Sequence, residues 1–91
     1  MELKWTDQGL RDLSRLYDFL STVHQPAAAR TVQQLTTAPT SLLVNPRIGE
    51  RLEEFEPRDV RRLLVGNYEM RYEIVNSTLY LLRVWHTREN R

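Results

Sequence analysis

Ninety-one residues, 41% apolar and 27% charged, with three glycines and four prolines, describe one folded domain with a thin core rather than a disordered chain. The formal charge of +1 creates no general pull towards nucleic acid. Cysteine is absent, which excludes disulfides, thiolate chemistry and thiolate-ligated zinc. No run approaches the ~18 apolar residues of a membrane span, and no export signal is visible, so a cytoplasmic protein without a membrane partner is expected.

Met1 to Trp5 alternates Leu3 and Trp5 with Glu2 and Lys4, which is compatible with a short strand. Thr6 and Asp7 can each supply the side-chain oxygen that caps a helix. Leu10, Leu13, Leu16, Tyr17, Leu20 and Val23 then recur at helical spacing, with Arg11, Asp12, Ser14, Arg15 and Asp18 on the polar side. After Gln25 and Pro26 a second helix is expected, with Ala27, Ala28, Ala29, Val32, Leu35 and Ala38 as a narrow stripe that allows close helix packing. Pro39 ends or kinks it, and Ser41 to Val44 have room for one more turn. Residues 7–44 thus predict an antiparallel helical hairpin. His24, at a helix end, reads as a surface residue.

Residues 46–57 are irregular. Gly49 is expected in a turn, Leu52 and Phe55 as inward anchors, and Glu50, Glu53, Glu54 and Glu56 as a solvated face or as partners of the arginines that follow. Residues 58–65, 68–75 and 78–86 then alternate as strands separated by Gly66-Asn67 and Asn76-Ser77. The order is β-α-α-β-β-β: an α+β fold over residues 1–91, with an N-terminal strand, the helical hairpin and a three-stranded antiparallel meander. The helices cover one face of the sheet and leave the other open. Tyr72, Leu81 and Trp85 are expected in its framework. The inward parity of the last strand stays undecided, because Leu79, Leu81, Arg83 and Trp85 oppose a set, Tyr80 to His86, that is equally apolar.

Charge is uneven along this pattern. Residues 58–91 hold seven arginines against four acids, and every basic residue except Lys4 is arginine, suited to bidentate contact with carboxylate or phosphate. No phosphate-cradling glycine loop exists, and His24 and His86 lack the spaced carboxylates of a metal site, so neither metal nor cofactor is expected. One constellation could carry chemistry: Arg62, Arg71, Arg83 and His86 on neighbouring strands, an imidazole for proton transfer beside guanidinium groups that stabilise a phosphodiester-cleaving transition state. The same arginines are also consistent with simple ion pairs to Glu53, Glu54 or Glu73.

The closing motif RVWHTRENR, with DLSRLYDFL and PAAARTVQQL in the helices and RRLLVGNYEMRYEI in the sheet, resembles the ParE/RelE superfamily of bacterial type II toxin–antitoxin toxins, more closely its ParE-like branch. The resemblance spans essentially the whole chain. It implies a toxin neutralised by a cognate ParD-like antitoxin in a hetero-oligomer. ParE-like toxins are described as inhibitors of DNA gyrase that trap its cleaved complex with DNA, whereas RelE-like relatives cut messenger RNA in the ribosome. The latter commonly use sheet lysines and a tyrosine near the C-terminus. Here Thr87 follows His86, no tyrosine lies beyond Tyr80, and Lys4 is the single lysine, so gyrase inhibition without covalent catalysis is the favoured reading. The resemblance then points to His86, Arg88 and Arg91 as target-binding residues, and to Arg61, Arg62 and Arg71 as partners of the antitoxin's acids. A ribosome-dependent ribonuclease using Arg62, Arg71, Arg83 and His86 is one alternative, and a non-toxic binding module is another.

Overall fold

The computed structural model describes residues 1–89; the expected tail contact Arg91 lies outside them. The three strands of the meander fall at Asp59–Val65 (β3), Tyr68–Val75 (β4) and Thr78–His86 (β5), where their alternation places them. Gly66 (φ 58°) and Asn76 (φ 55°) supply the left-handed backbone their turns require. The first strand, Glu2–Trp5 (β1), joins the opposite side of β5, and Glu50–Arg51 (β2) pairs with β3, giving the order β1-β5-β4-β3-β2. Two features add to what the sequence indicates. β1 runs parallel to β5, making the sheet mixed, and β2 is a fifth strand of two residues. A four-residue alternation carries no information about its partner's direction, and two residues carry no alternation at all.

Thr6 begins the helical hairpin and docks it. Its Oγ1 accepts the Gly9 N–H (3.1 Å) as the cap of α1, Asp7–Ser21, and donates to the Leu81 carbonyl (2.8 Å). His24 caps α2, Gln25–Thr37, through Nδ1, which accepts the Ala27 N–H at 3.3 Å. The chain tightens into a 3₁₀ helix over Ala38–Leu43 at Pro39. Leu13 and Leu16 from α1, Leu35 from α2 and Leu42 meet Val65, Met70, Tyr72, Leu79, Leu81 and Val84 in one core on the helix-covered face. Fully buried Ala28 brings the two helices close, whereas Leu10, Ala29 and Val23 of the expected stripes face solvent. Among the described residues no helix is long and apolar enough to cross a membrane.

A bulge settles the parity of β5. Arg71 lies opposite Arg83 and Tyr72 opposite Leu81, so Leu82 has no cross-strand partner and the alternation reverses there. Leu81 and Val84 both point to the core, while Arg83 and Trp85 point to the other face. That second face is not bare. Trp85 (6% exposed) and fully buried Val60 lie on it, outside the main core, opposite Glu69 and Glu73. The short 3₁₀ turn Glu53–Phe55 covers part of it, the Phe55 ring lying 5.2 Å from the Arg71 guanidinium.

Gly49 serves packing rather than a turn. A β-carbon there would sit 2.6 Å from the Arg62 carbonyl oxygen and press on the Tyr72 ring. The close approach lets the Gly49 N–H donate to the Tyr72 hydroxyl (3.0 Å), which itself donates to the Pro46 carbonyl (2.7 Å). Fully buried Tyr72 therefore carries the loop into β2, and burial raises its phenol above the ordinary value. Tyr72→Phe should leave both loop groups unpaired and cost ~1–3 kcal/mol in urea unfolding. An unchanged midpoint would show that the loop does not depend on this hydroxyl.

Candidate functional site

The last described residues are tied down. The Thr87 N–H donates to the Asn67 carbonyl (2.8 Å), fastening the tail to the β3–β4 turn, and the Glu89 N–H donates to the His86 carbonyl (2.9 Å), closing a turn. His86 stands opposite Tyr68, with the rings edge to face at 5.2 Å and 82°. The Arg88 N–H donates to His86 Nδ1 (3.1 Å). With that lone pair engaged, the neutral ring carries its proton on Nε2 and is a donor there. Glu89 folds back: its Oε1 accepts the His86 N–H (3.2 Å), and its carboxylate pairs with Arg15 on α1 (3.2 Å).

Between α1 and this turn lies a cleft of about 600 Å³ lined by Arg15, Phe19, Leu20, Tyr68, His86, Arg88 and Glu89. The Phe19 ring is 67% exposed at its wall. The cleft thus combines two guanidinium groups and an imidazole with apolar side walls, an arrangement fitted to an acidic group carried on an apolar segment. His86 and Arg88 were legible from the sequence, while Arg15, Phe19 and Tyr68 were not. The available signal was Phe19, an aromatic side chain lying off the apolar stripe of an amphipathic helix.

The arginines of the sheet are elsewhere. Arg62, Arg71 and Arg83 form a row across β3, β4 and β5, as the meander led one to expect, but on the face away from the helices. His86, opposite core-packed Tyr68, belongs to the helix-covered face. The sheet therefore brings the three arginines together and keeps His86 apart from them. Each arginine already has a carboxylate: Arg62 pairs with Glu50 and with Glu69 (3.8 Å), Arg71 with Glu69 (3.5 Å), and Arg83 with Asp12 (2.8 Å). The Arg71 guanidinium lies between the Phe55 and Trp85 rings, 4.8 Å from the latter, and its Nε is buried with no hydrogen-bond partner among the described residues. Arg61 faces the helix side, opposite Tyr72. With its side chain 14% exposed, it is held by Asp59 (2.9 Å) and by the carbonyls of Arg47 and Gly49 (3.0 Å each).

Asp12, placed by its spacing on the polar side of α1, is 2% exposed. β1 ends opposite Leu81, and beyond it α1 lies along the free edge of β5, whose Val84 N–H donates to Asp12 Oδ2 (3.0 Å). Burial pushes the Asp12 carboxyl up, but hydrogen bonds from Arg83, Val84 and Gln8 together outweigh it and hold the carboxyl below the ordinary range. On the far face the Glu73 carboxyl is lowered mainly by its hydrogen bonds from Arg58, at 2.8 and 2.9 Å.

A family model described as the ParE toxin of type II toxin–antitoxin systems, parDE, matches residues 3–91. Among solved structures, a chain of the chromosomal ParDE toxin–antitoxin system from P. aeruginosa is similar, with a TM-score of 0.80 and 24% identity. The match covers 94% of this chain and 95% of that one. No curated protein matches the chain.

Proposed function

The chain belongs to the ParE toxin family of type II toxin–antitoxin systems, and from that membership we propose that it inhibits DNA gyrase by trapping the enzyme's cleaved complex with DNA. A cognate ParD-like antitoxin neutralises it in a hetero-oligomer. The observation that carries this reading over messenger RNA cleavage is the separation of His86 from the Arg62–Arg71–Arg83 row by the thickness of the sheet. Phosphodiester cleavage asks for proton transfer and charge stabilisation around one scissile bond. Here the arginines lie on the face opposite His86, whose Nδ1 is occupied by a backbone amide. Gyrase inhibition requires only a binding surface, for which His86 and Arg88 at the cleft supply donors, with Arg91 as a further contact. Acting on gyrase, the toxin works in the cytoplasm.

The antitoxin presents acids to Arg62 and Arg71 on the far face of the sheet, where both guanidinium groups are partly accessible. Arg61, bound into the loop before β2, supports that surface from behind. By binding only the folded toxin, the antitoxin also stabilises it.

Arg88 is exposed, so its replacement should leave the fold intact. Arg88→Ala removes a charge-assisted contact of ~1.5–3 kcal/mol, and about tenfold or more additional toxin should then be needed to half-inhibit supercoiling by gyrase. Equal inhibition by the variant and the wild type would take Arg88 out of the target site.

A further inference from the structure

Among the described residues no strand lies beside the edge of β5 beyond Leu81, and two of its amides are satisfied in the same way. The Val84 N–H donates to Asp12, whose carboxylate is held by Arg83; the His86 N–H donates to Glu89, whose carboxylate is held by Arg15. One edge thus carries two carboxylate sites, each made of a backbone N–H and a guanidinium. They differ in permanence. Asp12 is fixed in the body of α1 and buried, whereas the Glu89 side chain is 27% exposed and its partner Arg15 44%. The Glu89 carboxylate is thus the more accessible of the two.

We propose that Arg15 and the His86 N–H form an exchangeable carboxylate-binding subsite, in which Glu89 is a tethered competitor and an acidic side chain of a partner polypeptide is the incoming ligand. The resident group shows which shape fits: a planar carboxylate, bridging the guanidinium and the amide. The rest of the cleft specifies what accompanies it. Phe19, Leu20 and Tyr68 give apolar contact for a neighbouring side chain, and Arg88 adds a second cation. Once Glu89 has swung out, two arginines face the incoming acid, so charge favours exchange. A tether raises the local concentration of Glu89, so the subsite is silent towards weak acids and opens to a ligand that also uses the apolar walls. The inference rests on the cleft and is independent of which protein the toxin acts upon.

The test uses the ¹⁵N-labelled full chain, following the His86 amide by NMR with the Val84 amide as internal reference. In Glu89→Ala, acetate should shift the His86 amide saturably at about tenfold lower concentration than in wild type, leaving Val84 still, and Arg15→Ala in that background should abolish the response. An unmoved Val84 amide and an unchanged melting temperature establish that the variant is folded. The dipeptide acetyl-Glu-Phe-amide should bind about tenfold tighter than acetate through the apolar walls, and inorganic phosphate should bind less tightly than acetate. Identical acetate titrations for wild type and Glu89→Ala, a dipeptide no tighter than acetate, or phosphate equal to or tighter than acetate would each overturn the proposal. The last result would give the subsite to a nucleic-acid phosphate.

Discussion

Trp85→Ala should destabilise the fold by ~3–5 kcal/mol, the range for emptying a large buried aromatic site. For a domain of this size, whose total stability lies in the ~5–15 kcal/mol range, that loss equals most of the total at the low end of the range. Trp85 lies outside the main helix-facing core. It anchors the smaller layer on the opposite face, under the Arg71 guanidinium at 4.8 Å and the Arg83 guanidinium at 6.0 Å. Removing the indole forfeits its buried area and leaves Arg71, whose Nε has no hydrogen-bond partner among the described residues, with the Phe55 ring. Trp85→Phe retains a ring and should recover a substantial part of the loss. Urea unfolding of the two variants checks this, and a Trp85→Ala loss below ~1 kcal/mol would mean that the second layer contributes little.

The second large effect belongs to Asp12. Asp12→Ala strands the Val84 N–H on a strand edge and deprives Arg83 of its carboxylate, for an expected ~2–4 kcal/mol. The figure stays below that of a fully enclosed pair because Arg83 is one-third exposed and relaxes into water. The same contact sets an acid limit. Because the Asp12 carboxyl is held below its ordinary value in the folded chain, the unfolded chain takes up its proton first as pH falls. The stabilisation is complete above about pH 4 and is lost as pH drops through the folded value. Glu73, lowered by Arg58, adds in the same direction. Wild type should therefore lose stability below about pH 4 more steeply than Asp12→Asn, and parallel curves for the two would contradict the assignment.

What could be read from the sequence follows from the length of each pattern. Fifteen residues of helical spacing behind Thr6, and strands of seven to nine residues broken by Gly66 and Asn76, carry enough periods to fix both type and boundary. β1 was visible as a strand, but its parallel pairing with β5 depends on where the helical hairpin returns the chain. The bulge at Leu82 reverses the alternation in mid-strand, which is why the inward face of β5 resisted assignment and why Trp85 turned out to lie away from the helices. Asp12 was misplaced because helical spacing reports one apolar face, whereas α1 has a second buried contact with a strand edge that needs acceptors. Of the candidate site, His86 and Arg88 could be named from the resemblance carried by the closing motif. Arg15 and Phe19 could not, because they join them only through the packing of α1 against β5.

The most direct measurement incubates purified toxin with gyrase, ATP and plasmid, then removes protein with detergent and protease and resolves the DNA. The expected result is blocked supercoiling with accumulation of linear plasmid, both reversed by the antitoxin. Normal supercoiling at excess toxin, together with cleavage of messenger RNA in a translating extract that His86→Ala reduces by about 10²-fold or more, would contradict the proposed function and make His86 catalytic.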